Sequence, residues 1–108
     1  MPLLPKTLFA TAIALAMTAG FTPAFAKDVS VTISNFAFVP ALTTIAPGDK
    51  VIFVNGDDTI HSVVADDGSF HSDGLDTNDK ASFTFAQAGT FGYHCGLHPF
   101  MKGEIVVK

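Results

Sequence analysis

Apolar and polar residues alternate along most of the chain after residue 27, and this alternation predicts strands. Val29, Val31 and Ile33 alternate with polar residues, which is the two-residue period of a half-buried strand. Further β-prone runs occupy residues 36–40, 42–45, 51–54, 62–65, 81–85, 91–95 and 105–107. Most are bounded by Gly, Pro, Asn or Asp residues, which favour turns. Seven to eight short strands of this kind predict an all-β sandwich or barrel.

One segment, residues 73–85, could instead be read as a helix. It contains Gly74 and a turn-forming cluster at residues 76–79, and its apolar residues do not recur with a period of 3.6. We therefore predict no helix there. Without internal repeats or a low-complexity linker, the strands form one domain.

The first 26 residues have a different pattern. Lys6 and the amino terminus supply positive charge, residues 8–19 form an apolar run, and small residues precede position 27 as Ala24-Phe25-Ala26. This pattern predicts a secretory signal peptide that is cleaved after Ala26, leaving residues 27–108 as a single periplasmic domain. The alternative is a membrane anchor, but the apolar run is shorter than the ~20 residues that a span needs.

The composition narrows the function classes. Ten acidic residues face six lysines, and removing residues 1–26 takes away Lys6 alone, which changes the net charge from −4 to −5. A charged fraction of 15% with 48% apolar residues argues against a disordered acidic chain and against a basic nucleic-acid binder. The single cysteine excludes an intrachain disulfide. A domain this small has a marginal core, and a metal is the remaining common way to stabilise it.

Three residues of metal-binding types are spaced three positions apart near the carboxyl end. They are Cys95, His98 and Met101; Cys95 is the only cysteine, and Met101 is the only methionine after residue 26. His61 is the candidate for a fourth donor, since it follows a turn-rich segment and begins a strand. Two imidazoles and one thiolate with a weak axial thioether form a blue-copper electron-transfer site.

These residues also allow other interpretations. Cys95 could be a buried small hydrophobe or a thiol that dimerises, and zinc also binds Cys with two His. Met101 favours copper, because a thioether is a soft ligand suited to Cu(I). His94 and His71 are expected at the surface, because His94 points opposite to Cys95 and His71 lies in a polar turn.

Residues 29–108 resemble the small blue-copper (type 1) cupredoxins, and among these the amicyanin family. The resemblance rests on residues 36–40, 47–49, 70–75 and 89–95, and on the two-residue spacers on both sides of His98. Plastocyanin and pseudoazurin place the methionine further along the loop. The resemblance implies a Greek-key β-sandwich, one copper ion cycling between Cu(I) and Cu(II), and the ligands His61, Cys95, His98 and Met101.

Two positions depart from the family pattern. Ser62 replaces the asparagine that usually follows the first histidine ligand, and its shorter side chain is expected to reach less far. Leu97 replaces the proline before the loop histidine, and unlike proline it has an N–H group. We hypothesise that this N–H contacts the Cys95 sulfur, which would favour Cu(I) and raise the reduction potential.

The predicted function is periplasmic electron transfer rather than catalysis. The expected partners are a donor such as a dehydrogenase and an acceptor such as a c-type cytochrome. They would dock near His98 on the apolar residues Leu97, Pro99 and Phe100, with the protein as a monomer. The alternative is a periplasmic copper chaperone, which could use the same four residues.

Overall fold

Eight strands form within residues 25–108, the part of the chain that the computed structural model describes. They are β1 Asp28–Ser34, β2 Ala37–Val39, β3 Leu42–Ile45, β4 Lys50–Asn55, β5 Val64–Ala65, β6 Lys80–Thr84, β7 Gly89–His94 and β8 Lys102–Val107. These residues contain no helix, so the predicted all-β class is confirmed. Residues 1–24, with most of the predicted signal peptide, lie outside the described residues.

The strands form two four-stranded sheets. One has the order β2-β1-β4-β6 and the other the order β3-β8-β7-β5. β1 is parallel to β4 and β3 is parallel to β8, whereas the other pairs are antiparallel. Each sheet is therefore mixed. Within residues 25–108, no helix is long and apolar enough to cross a membrane.

The core lies between the sheets and follows from the alternation in the sequence. Val31 and Ile33 of β1 are fully buried while their neighbours face outward, and Tyr93 and Ile105 are buried on the other sheet. Phe53 makes an edge-to-face contact with Tyr93 across the core, with ring centroids 5.1 Å apart. Such aromatic pairs add to the free energy gained from burial, so they fix the two sheets against each other.

The stretch around Phe36 differs from the predicted continuous alternation. β1 ends at Ser34, and both Asn35 and Phe36 adopt left-handed backbone conformations, with φ of 54° and 56°. This turn reverses the chain, so Phe38 on β2 enters the core while Phe36 is 41% exposed. Phe38 therefore packs inside the sandwich, whereas Phe36 lies at the surface.

Two connections reach the same end of the sandwich. The antiparallel pair β7–β8 ends where His94 faces Lys102, so residues 95–101 form a short loop between these strands. The longer 56–79 connection leads from β4 to β6 and contains β5, and it carries seven aspartates and no lysine. Donor groups from both connections meet at this end.

Candidate metal centre

The 95–101 loop is closed by its own backbone. The N–H of Cys95 donates to the carbonyl of Met101 at 3.1 Å, and the N–H of Met101 donates to the carbonyl of His98 at 2.9 Å. Cys95 is fully buried and Met101 is nearly so, whereas His98 is half-buried. The loop therefore turns both sulfur residues inward and leaves part of one imidazole near the surface.

His61 is held by a short ladder within the 56–79 connection. Its N–H donates to the Leu75 carbonyl at 3.1 Å, and its carbonyl accepts from the Leu75 N–H at 2.6 Å. The side-chain amide of Asn55 donates to the carbonyls of Thr59 and Leu75, which ties the connection to the end of β4. His61 is completely buried, so its backbone has little freedom to move.

The structure brings together three of the four predicted donors. His61 Nδ1 lies 3.2 Å from His98 Nδ1, and Cys95 Sγ lies 3.8 Å from the first nitrogen and 3.7 Å from the second. The point equidistant from these three atoms lies about 2.1 Å from each, close to the ~2.0–2.3 Å of metal–imidazole and metal–thiolate bonds in zinc sites. The triangle therefore fits one metal ion without rearrangement.

The donor set distinguishes between possible metals. Met101, the fourth predicted donor, belongs to the same buried cluster as Cys95. Two imidazoles, a thiolate and a thioether combine borderline and soft donors, a set that accommodates both Cu(I) and Cu(II). These residues therefore fit copper better than zinc, which has no preference for a thioether.

Ser62 connects the two parts of the centre. Its backbone N–H donates to Cys95 Sγ at 3.3 Å, and its hydroxyl accepts from the Gly96 N–H at 3.0 Å. Although this side chain is shorter than the usual asparagine, its hydroxyl still joins the two loops. Among the described residues, no hydrogen bond runs from the Leu97 N–H to the sulfur; the backbone donor comes from Ser62 instead.

Asp57 lies directly behind the buried histidine and was not identified from the sequence. Its Oδ2 is 2.9 Å from His61 Nε2 and accepts from the Phe36 N–H at 2.9 Å, while Oδ1 accepts from the Asn35 N–H at 2.7 Å. The hydrogen bond from Phe36 is the main cause that lowers the pKa of Asp57, so the carboxyl is ionised at neutral pH. An aspartate four residues before a candidate histidine is the only sequence signal of this contact.

Comparison with known proteins places this centre in a family. The sequence model of the cupredoxin-like domain family matches residues 7–107. The chain belongs to the cupredoxin-like family. It is 34% identical to amicyanin of Paracoccus versutus over 88 residues, which cover 77% of this chain and 67% of the relative. It is 35% identical to amicyanin of Paracoccus denitrificans over 66 residues, or 56% of this chain and 50% of that one.

Solved structures agree with these relatives. An oxidized amicyanin mutant superposes with a TM-score of 0.71 at 28% identity, covering 74% of this chain and 81% of its own. A purple cupredoxin from Nitrosopumilus maritimus gives a TM-score of 0.70 at 25% identity, covering 75% of this chain and 100% of its own. The resemblance to blue-copper cupredoxins of the amicyanin type is thereby confirmed. The matched region spans half to two thirds of the length of the two Paracoccus amicyanins.

An aromatic side chain that sequence analysis did not assign covers the centre of this cupredoxin. The Phe36 ring stands edge-to-face against both imidazoles, with centroids 5.0 Å from His61 and 5.1 Å from His98. It also stacks on Phe100 at 6.5 Å. Phe36 thus packs beside both imidazoles while remaining partly exposed.

The surface around His98 is apolar. Leu97 and Phe100 are 53% and 69% exposed, and Pro99 is exposed as well. Neither Leu97 nor Phe100 is therefore packed into the core. These side chains form a rim around the half-buried imidazole.

The two remaining histidines lie outside the donor group. His94 Nδ1 is 2.6 Å from Asp66 Oδ1 on the surface, and His71 is exposed. Neither joins the three converging donor atoms. Both positions agree with the prediction that these residues are at the surface.

Proposed function

We propose that this protein is a periplasmic blue-copper electron carrier, with His61, Cys95, His98 and Met101 as the copper ligands. The observation that carries the proposal is the convergence of two imidazole nitrogens and the only sulfhydryl sulfur within 3.2–3.8 Å. A bound copper ion supplies a one-electron couple at such a site. Membership of the cupredoxin-like family supports the same assignment.

The residues around the centre hold their geometry in a way that suits electron transfer. The 95–101 loop is closed by backbone hydrogen bonds, Ser62 joins it to the 56–79 connection, and Leu75 and Asn55 restrain His61. A site whose donors are fixed before the electron arrives needs little rearrangement when its charge changes. With Met101 as the axial donor no open position remains for a substrate, so we propose a carrier and not an enzyme.

The apolar rim of Leu97, Pro99 and Phe100 is the proposed docking surface for redox partners. The half-buried His98 at its centre provides the shortest exit for an electron, because the other donors are fully buried or nearly so. A small apolar patch suits brief contacts with little buried area. We propose a dehydrogenase as donor and a c-type cytochrome as acceptor, and the net negative charge would steer this monomer toward a basic face.

The periplasmic location rests on the signal-peptide pattern of residues 1–26. This pattern predicts that a domain of residues 27–108 lies outside the cytoplasm, where disulfides form readily. A lone cysteine that is fully buried is compatible with that environment. Sequencing the amino terminus of protein purified from the periplasm would test the cleavage, and any start other than Lys27 would correct the boundary.

The decisive experiment adds Cu(II) to the purified protein and records its visible spectrum and voltammogram. We expect an intense thiolate-to-copper band, a reversible one-electron wave and a higher melting temperature, because copper binds the folded site. Cys95→Ser should lose the band, and His71→Gln, which alters an exposed histidine outside the centre, should keep it.

Absence of the band in the wild-type protein would refute the proposal. Fast transfer of Cu(I) to a competing chelator would favour the alternative, a copper chaperone. The buried donors argue for slow release.

A further inference from the structure

Beyond the four proposed ligands, we propose that Asp57 is a positioning residue for His61, and this inference rests on the proposed copper function. Its carboxylate accepts a hydrogen bond from the Nε2–H group of His61, which leaves Nδ1 free to bind the metal. Through the same contact it strengthens His61 as a ligand for Cu(II) more than for Cu(I). The resemblance on which the ligand set was based does not include this residue.

The first step of the argument concerns the His61 proton. A neutral imidazole carries one proton, and the hydrogen bond made by one nitrogen decides which nitrogen can bind a metal. Oδ2 of an ionised carboxylate can only accept, and it lies 2.9 Å from Nε2. Nε2 must therefore be the donor. Nδ1, which faces His98 and Cys95, keeps its lone pair.

The second step concerns how firmly the carboxylate is held. The Asp57 carboxylate accepts hydrogen bonds from the N–H groups of Asn35 and Phe36. The Asp57 backbone is held as well, because its N–H donates to Asn55 Oδ1 at 2.9 Å and its carbonyl accepts a hydrogen bond from the Thr77 hydroxyl at 2.7 Å. Two successive left-handed residues aim their N–H groups at it. These contacts come from three separate places in the chain and hold both the backbone and the carboxylate of Asp57, so the carboxylate is fixed before any metal binds.

The third step concerns charge. The Asp57 side chain is 14% exposed and the His61 side chain is not exposed at all, so water screens their interaction only weakly. A carboxylate on the distal nitrogen raises the basicity of a metal-bound imidazole. A more basic imidazole beside a negative charge stabilises the ion of higher charge. Asp57 should therefore lower the reduction potential. Its negative charge also offsets part of the positive charge of the ion, which the uncharged thioether of Met101 does not do.

Asp57 also positions the Phe36 ring. The hydrogen bond from the Phe36 N–H holds that residue in its left-handed conformation, and the ring stands against both imidazoles as a result. A non-glycine residue rarely adopts this conformation unless its surroundings impose it. One carboxylate thus fixes both the proton of His61 and the ring beside it.

The first test uses the wild-type protein without metal. Nitrogen-15 NMR at neutral pH should show His61 protonated at Nε2 and unprotonated at Nδ1, a measurement that needs neither copper nor a variant. A proton on Nδ1, or a mixture of the two tautomers, would overturn the inference. If the protein binds no copper, the proposed function fails while this spectrum still decides the role of Asp57.

The second test compares Asp57→Asn with the matched control Asp58→Asn. Both changes remove one negative charge at neighbouring positions, but Asp58 is exposed and makes no side-chain hydrogen bond among the described residues. We expect Asp57→Asn to raise the reduction potential, to weaken Cu(II) binding more than Cu(I) binding, and to mix the His61 tautomers. Asp58→Asn should leave the tautomer unchanged and shift the potential much less. Equal shifts in the two variants would show a long-range charge effect and refute positioning.

Discussion

Replacing Ser62 by alanine isolates the hydrogen bond that joins the two loops of the centre. The change removes the acceptor of the Gly96 N–H, a bond of 3.0 Å, and leaves the backbone donor to the Cys95 sulfur in place. A hydrogen bond of this kind contributes about 0.5–1.5 kcal/mol, and a buried donor left without a partner costs ~1–3 kcal/mol. Because Gly96 is exposed, water can replace the lost acceptor. We therefore expect a loss of about 1 kcal/mol.

The assay is thermal unfolding of the metal-free protein followed by circular dichroism. A loss of about 1 kcal/mol corresponds to a fall in melting temperature of about 4–8 °C for a domain of this size. Ser30→Ala is the control, because Ser30 is an exposed residue of β1 whose side chain makes no hydrogen bond among the described residues. If both variants melt alike, Ser62 does not join the loops in solution. The copper-loaded variant should retain its visible band, since the backbone N–H at position 62 still donates to the sulfur.

Two further predictions concern groups away from the centre. The Tyr93 hydroxyl is buried and has no hydrogen-bond partner within residues 25–108. Tyr93→Phe should therefore raise the free energy of unfolding by about 1 kcal/mol, as measured by urea denaturation. A destabilised variant would show that the hydroxyl has a partner. The N–H groups of Lys27 and then Ala46 lower the pKa of Asp49, so its contribution to stability is complete above the unfolded pKa and is lost as the pH falls through the lower folded value. Melting temperatures between pH 7 and pH 2 should fall less steeply for Asp49→Asn than for the wild type, and parallel curves would contradict this.

The strands could be predicted because the sequence alternates where one face of each strand is buried. Val31 and Ile33 show this directly, since both have no exposed surface and their neighbours face outward. The pairing of the strands could not be predicted in the same way. The parallel pairing of β1 with β4 joins residues about 22 positions apart, and alternation carries no information on which strands are neighbours.

The proposed ligands could be identified because rare residue types stand at a fixed spacing. Cys95, His98 and Met101 lie in one loop, and His61 was the best remaining donor. Asp57 could not be distinguished from the six other aspartates of the 56–79 connection. Its role depends on contacts with residues 35 and 36, which are 21–22 positions away in the chain.

Phe36 escaped prediction for a related reason. Within residues 36–40 it looks like one more position in an alternating strand. Its left-handed backbone depends on the carboxylate of Asp57, which a local pattern does not reveal. Local preference thus predicts elements, whereas the support behind a metal site comes from long-range hydrogen bonds.

The complete burial of Cys95 has a consequence for the protein before it acquires metal. A disulfide requires two sulfur atoms about 2.0 Å apart, and a second molecule cannot bring its sulfur that close to an atom without accessible surface. Air oxidation and crosslinking of the metal-free protein would therefore require a rare opening of the sandwich. The metal-free protein can therefore keep its thiol reduced until a metal ion binds.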